Sequence, residues 1–293
     1  GMNVNITFLG GSGTVTGSKY LVRYNGKSLL VDCGLFQGYK QLRLRNWQPL
    51  PVTPHQIDAV VLTHAHLDHS GYLPLLARDG YTHAIHCTPG TRDLCTILLP
   101  DSGHLQEEDA AFLNRHQLSS HSPALPLYTR LDALHCLKQF QIHPSHKAFE
   151  PLPGWRVTFS PAGHILGAAS VLLEVGGRRI LFSGDLGAPH APLLPAPRPP
   201  WHADIVVLES TYGDRVHQDR RHRRERLREV IEQALEDGGS VIIPAFNACS
   251  RMTPALAFSE HRRRISGSLT RSSCTPDRPE NPELSRSFEH GYA

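Results

Sequence analysis

A chain of 293 residues with 40% hydrophobic content can furnish a sizeable core, in one large domain or two ordinary ones. No apolar run approaches the roughly 20 residues of a membrane span, and the N-terminus lacks a charged-then-apolar signal pattern. The formal charge of +3 says little about nucleic acid, so an anionic partner needs a local basic patch.

In chain order, Gly1-Met2 reads as a tag-cleavage remnant before the natural start. Residues 4–9, 20–23 and 29–31 read as strands, joined by the glycine turns Gly10-Gly11-Ser12-Gly13 and Asn25-Gly26. The apolar run Ala59-Val60-Val61-Leu62 predicts a buried strand that ends directly in a histidine cluster. Residues 71–78 have helical spacing, and 84–87 read as a strand. Residues 91–99 form a helix entered at Thr88-Pro89, followed by a polar helix over 101–114 and an amphipathic one over 131–140. Strands return at 157–160, 170–175 and 180–183. Residues 189–200 are proline-rich and predict an extended surface loop. A further strand at 205–208 precedes a charged helix over 219–236 and an apolar strand at 241–243. Residues 247–293 are rich in Arg, Ser and Pro without periodicity, a composition that predicts a poorly packed or disordered tail.

The six cysteines are scattered singly and form no C-x-x-C pair. This argues against a structural zinc knuckle and predicts reduced thiols in a cytoplasmic protein. Histidine is unusually frequent, at 19 residues. His83, His86, His116, His121, His135, His143 and His146 lack ligand-like spacing and read as structural or surface residues.

The chemistry is concentrated in Thr63-His64-Ala65-His66-Leu67-Asp68-His69-Ser70-Gly71, with three imidazoles and one carboxylate in six positions. Imidazole with carboxylate suits zinc, manganese or iron rather than calcium. The absence of thiolate favours a catalytic centre with an open position over a closed structural one. Two later elements repeat the strand-then-ligand arrangement. His164 sits on the turn Gly163-His164-Ile165-Leu166-Gly167, and Asp185 follows a strand in Ser183-Gly184-Asp185. Together they supply the ligands that a dinuclear centre needs, with Asp185 able to bridge two ions.

His64-x-His66-x-Asp68-His69, then His164, then Asp185, resembles the metallo-β-lactamase superfamily. Leu30-Val31-Asp32-Cys33-Gly34 resembles its early strand-end aspartate motif, where Asp32 would orient the metal-binding loop. Leu208-Glu209-Ser210-Thr211-Tyr212-Gly213-Asp214-Arg215 resembles motif A of the β-CASP branch, which includes bacterial RNA-processing nucleases and the nuclease of mRNA cleavage and polyadenylation. The segments 13–18 and 99–103 also resemble that branch, and the likeness runs colinearly from about residue 3 to Phe246.

The resemblance implies an α/β fold, a four-layer αβ/βα sandwich over 1–210, with a β-CASP domain beginning at 211–246. It implies two zinc ions: one on His64, His66 and His164, the second on Asp68 and His69, with Asp185 bridging. A hydroxide would attack the scissile phosphorus of RNA, and Asp68 and Glu209 are the residues assigned to catalysis, Glu209 in handling protons near the leaving group. The resemblance stops at Ile243-Pro244-Ala245-Phe246, where Asn247-Ala248-Cys249-Ser250-Arg251 replaces the helix start of that family. Nothing around His261 or His290 resembles the family's later histidine motifs. Residues 247–293 are accordingly expected to be an out-of-frame or replaced end, leaving the second zinc short of one ligand and inviting homodimerisation through exposed core.

Two other functions compete with RNA phosphodiester hydrolysis: ester or thioester hydrolysis, and non-catalytic RNA binding. The cluster Arg220-Arg221-His222-Arg223-Arg224 could grip phosphates or could be a solvated helix face. The loop over 10–17 lacks phosphate-loop spacing, and Gly11-Ser12-Gly13 is not a nucleophile elbow.

Overall fold

The computed structural model describes residues 3–10, 16–120, 123–185, 202–209 and 238–242. The expected proline-rich loop, the charged helix over 219–236, the β-CASP start and the tail over 247–293 lie outside the described residues. In chain order the elements are β1 (Asn5–Phe8), β2 (Tyr20–Tyr24), β3 (Lys27–Val31), α1 (Lys40–Leu44), β4 (Ala59–Val61), α2 (Leu67–Ser70) and α3 (Leu73–Arg78). Then come β5 (Ile85–Cys87), α4 (Pro89–Arg115), α5 (Arg130–Leu137), β6 (Phe140–Ile142), β7 (Phe149–Leu152), β8 (Trp155–Pro161), β9 (Ala169–Val175), β10 (Arg178–Phe182), β11 (Ile205–Val207) and β12 (Ser240–Ile242).

The strands form two six-stranded sheets, ordered β1-β2-β3-β4-β5-β6 and β12-β11-β10-β9-β8-β7. β3, β4, β5 and β6 run parallel. The apolar text of β3 and β4 follows from burial on both faces. In β3, Leu29 and Val31 face the core between the sheets, whereas Leu30 faces the core under the helices. β4 divides the same way, with Ala59 and Val61 between the sheets and Val60 under the helices. The inter-sheet core adds Val157, Phe159, Val171, Leu173 and Phe182 from the second sheet. Among the described residues, helices α3, α4 and α5 cover the outer face of the first sheet through Leu73, Leu76, Leu99 and Ala133. Among the described residues the fold is thus the α/β sandwich of the sequence reading, with one helical layer and two sheets.

Three local expectations differ from the structure. The two helices expected on either side of Pro100 are one 27-residue helix, α4. Pro100 removes one N–H, but the turn beyond it is anchored. Ser102 Oγ pairs with the Tyr128 hydroxyl at 2.8 Å, and Gly103 lies so close to Thr129 that a Cβ would sit 2.6 Å from its carbonyl. The helix expected to reach residue 140 stops at Leu137, and Phe140–Ile142 pairs with β5 instead. β7, with Pro151 inside it, was not expected; proline is tolerated there because β7 is an edge strand.

His86 and His143 pair through Nδ1 and Nε2 at 2.9 Å, and the His143 ring stacks on Phe149 with centroids 3.5 Å apart. This joins β5 to β7 across the two sheets, a structural role. No helix among the described residues is long and apolar enough to cross a membrane. Cys33, Cys87, Cys95 and Cys136 are free and buried.

Candidate metal centre

The strands β3, β4, β8, β10 and β11 each release a polar residue just past their C-terminal ends: Asp32, His64, His164, Asp185 and Glu209. β10 and β11 are parallel, and β8 and β10 are both antiparallel to β9, so these ends lie at one edge of the sandwich. Ala169 N–H donates to the Thr63 carbonyl at 2.8 Å, which ties the two sheets together at that edge.

The loop after β3 braces the ligand turn through its backbone. Cys33 N–H donates to His69 O at 2.7 Å, Leu35 N–H to Leu67 O at 2.8 Å, and Ser18 N–H to Asp68 O at 2.9 Å. The approach is so close that a Cβ on Gly34 would sit 1.5 Å from the Asp68 carbonyl oxygen. No residue but glycine fits there. Beneath this loop Lys19 is buried, donating Nζ to Gly34 O at 2.7 Å, with Phe36 and Tyr72 rings each 4.8 Å from it. Burial pulls its pKa down to about 8.

Asp32 fixes two imidazoles. It is fully buried and has a left-handed backbone, φ 60°. Oδ1 accepts from Thr63 N–H at 2.7 Å, and Oδ2 accepts from Thr63 Oγ1 at 2.7 Å and from His69 Nδ1 at 2.8 Å. With its proton given to Asp32, the Thr63 hydroxyl must accept from His64 Nδ1, 2.9 Å away. Both rings therefore carry their proton on Nδ1 and turn a bare Nε2 inward. His64 Nε2 and His69 Nε2 are buried without a hydrogen-bond partner. An unmet buried acceptor is costly, and a cation would satisfy both.

The inward atoms form two sets. His64, His66, His164 and Asp185 present ligand atoms within 4.8 Å of one another, as do His69, Asp185 and Glu209. Asp185 is common to both. Its Oδ2 lies 3.5 Å from His64 Nε2 and 3.4 Å from His164 Nε2, and its Oδ1 lies 3.6 Å from His69 Nε2. His66 Nδ1 and His164 Nε2 converge to 3.2 Å. Asp68 stands at the rim, with Oδ2 3.8 Å from His69 Nε2, and belongs to neither tight set. Glu209 takes a place in the second set, Oε2 3.3 Å from His69 Nε2. A group of Asp32, His64 and His69 is equally compact, but the hydrogen bonds of Asp32 mark it as the orienting residue.

Electrostatics point the same way. Burial pushes His64 down to about 4, with His69 adding to the effect. Burial also opposes charge on His69, yet Glu209, Asp32 and Asp185 outweigh it and raise its pKa well above the ordinary value, so that a proton takes the Nε2 position when no other cation does. Asp185 is held far below the usual carboxylate range against the effect of burial, by His64, His69 and His164. Burial pushes Glu209 up to about 7 and raises Asp68 as well. Four carboxylates gathered around dry imidazoles form a site that a divalent cation fits.

Several supporting contacts were not read from the sequence, although Thr88 was expected at the entry of its helix. Thr88 caps α4, and its Oγ1 donates to Gly167 O at 2.6 Å; Thr91 Oγ1 donates to the same oxygen at 3.0 Å. Gly90 and Gly167 allow this approach, since a Cβ on Gly167 would meet Thr91 N at 2.2 Å. This latch fixes the loop that carries His164. Ser18 Oγ donates to Glu209 Oε1 at 2.8 Å, and Glu209 N–H donates to Ser183 Oγ at 3.2 Å. Contacts spanning 26 to 191 positions leave no local pattern to read.

The chain is 36% identical over 243 residues to ribonuclease TTHA0252 of Thermus thermophilus, covering 83% of this chain and 52% of the relative. It is 30% identical over 248 residues to transcription termination factor FttA of Methanocaldococcus jannaschii, covering 83% and 37%. It is 28% identical over 240 residues to cleavage and polyadenylation specificity factor 73 of Drosophila melanogaster, covering 81% and 33%. The chain thus spans about half the length, or less, of these relatives. The sequence profile of the metallo-beta-lactamase superfamily matches residues 13–245, and the chain belongs to that superfamily.

Proposed function

We propose that this chain carries the catalytic centre of a zinc-dependent RNA phosphodiesterase of the β-CASP branch. The observation that carries the reading is the shared Asp185: one carboxylate serves two sets of ligand atoms, each containing a buried, unpaired imidazole Nε2. His64, His66 and His164 would hold one zinc, and His69 with Asp68 the other, Asp185 bridging. Glu209 lies close enough to His69 to complete the second set or to exchange a proton beside it. RNA as substrate is supported by the names of the relatives, among them a ribonuclease and a polyadenylation factor.

A zinc pair supplies activation of water and charge neutralisation on the phosphoryl group. The chain's own residues supply the rest. Asp32 and Thr63 hold the His64 and His69 rings in the tautomer that leaves Nε2 bare. The Thr88 and Thr91 latch sets the height of His164. Ser18 and Ser183 orient Glu209, which would exchange a proton beside His69.

The test is cleavage of end-labelled single-stranded RNA by the zinc-loaded chain, beside His66→Ala and a chelator-stripped sample. The reading predicts cleavage that both controls abolish. Cleavage surviving His66→Ala would identify a contaminant, and thioester turnover without RNA cleavage would transfer the site to small-molecule hydrolysis.

A further inference from the structure

Immediately beyond the loop that braces the metal centre, the chain builds a projection that core packing does not explain. Helix α1 buries none of its residues. Beside it Tyr39 is 67% exposed and Trp47 is 55% exposed. Two large aromatic rings are thus left in water at the two ends of this short segment.

The projection is nonetheless held firmly. Asn46 is buried, accepting Phe36 N–H at 2.8 Å and donating to Phe36 O at 2.9 Å. Gln37 N–H donates to Thr16 Oγ1 at 3.0 Å. The Arg45 guanidinium lies over the Phe36 ring, 5.6 Å from its centroid. Phe36 in turn follows Gly34 and Leu35, whose N–H groups bond Ser18 and Leu67 beside the ligand turn. The rings are thus presented on a preorganised mount anchored to the metal loop.

Charge selects the partner. Lys40, Arg43 and Arg45 lie between Tyr39 and Trp47, and no carboxylate occurs between Gly34 and Ile57. Among the described residues no ion pair engages these three cations. Exposed aromatic rings flanking cations that no carboxylate neutralises match a single-stranded nucleic acid, whose bases stack while its phosphates meet the cations. A duplex hides its base faces and would leave Tyr39 and Trp47 unused.

We infer that Tyr39 and Trp47, with Lys40, Arg43 and Arg45, form a stacking platform for single-stranded RNA bound next to the metal centre. The inference rests on the RNA phosphodiesterase reading and adds to it a binding surface outside the ligand set.

The experiment is fluorescence anisotropy of a short labelled oligouridine with the full chain, zinc-loaded, its linkages phosphorothioates that slow hydrolysis and its intactness checked by gel after each titration. Tyr39→Ala and Trp47→Ala should each weaken binding about tenfold, as loss of one base stack does. Tyr39→Phe and Trp47→Phe should retain it. Arg43→Gln should lower the slope of log affinity against log salt by about 0.7, one phosphate contact on a single strand. Zinc content, measured on every variant, should stay at the unsubstituted value. Undiminished binding in both alanine variants would overturn the platform, as would equal loss in the phenylalanine variants. Hydrolysis of bis(p-nitrophenyl) phosphate by the unsubstituted chain separates the two claims. Weakened binding in the variants supports the platform even if no diester is cleaved, a result that would count against the catalytic reading alone.

Discussion

Asp32 reaches His69 through the outer nitrogen of the ring, Oδ2 accepting from Nδ1 at 2.8 Å, so that Nε2 is left to face the metal centre. The same oxygen accepts from Thr63, which in turn sets His64. One buried carboxylate therefore controls an imidazole in each ligand set. Asp32→Asn keeps the shape but can point a donor at two groups that already donate. Zinc affinity should fall about 10- to 100-fold, the usual cost of losing such an orienting partner. Calorimetric zinc titration checks this; unchanged affinity at both sites would contradict the role.

Gly34→Ala should destabilise the fold on the order of 3 kcal/mol, because its methyl group would overlap the Asp68 carbonyl and must push the ligand turn away. Thermal unfolding reads the loss. A variant as stable as the unsubstituted chain would mean that the turn yields freely.

The latch on Gly167 predicts a graded effect. Thr88→Val combined with Thr91→Val removes both donors to that oxygen, and zinc binding at the site containing His164 should weaken. Thr88→Ser with Thr91→Ser keeps the hydroxyls and should restore it. Equal behaviour of the valine and serine pairs would assign the threonines to packing instead.

Lys19 gives a pH signature. Its folded pKa, about 8, lies below the ordinary 10.5 because burial disfavours the charged form. The unfolded chain therefore binds more protons between these values, and the contribution of Lys19 to stability falls as pH drops from 10.5 to 8. Below pH 8 the cost levels off at roughly 3 kcal/mol. Lys19→Met keeps the stem and removes the charge. Subtracting its stability profile from that of the unsubstituted chain should leave a positive slope confined to that window. A flat difference would show that Lys19 is not desolvated.

Legibility in the sequence followed the range of the contacts. The motif His64 to His69 is local, so its convergence at a strand end could be read directly, and β3 and β4 were plain from apolar runs buried on both faces. His164 and Asp185 were recognisable only in company with that motif, since each sits on a glycine turn of ordinary appearance. The place of Glu209 beside His69 depends on the parallel register of β10 and β11, with Phe182 opposite Val207, which no local pattern encodes. The edge strands β6 and β7 went unread because they are short and only partly buried, so no alternation marks them. The exposed rings at Tyr39 and Trp47 look like core residues in the sequence; only their burial reveals them as surface.

The central claim is that Asp185 couples two metal positions, and zinc titration of Asp185→Asn beside His66→Ala tests it most directly. The account predicts two zinc ions on the unsubstituted chain, weakened binding of both in Asp185→Asn, and weakened binding of one alone in His66→Ala. Two independent zinc ions unaffected by Asp185→Asn, or no zinc at all on the unsubstituted chain, would contradict it.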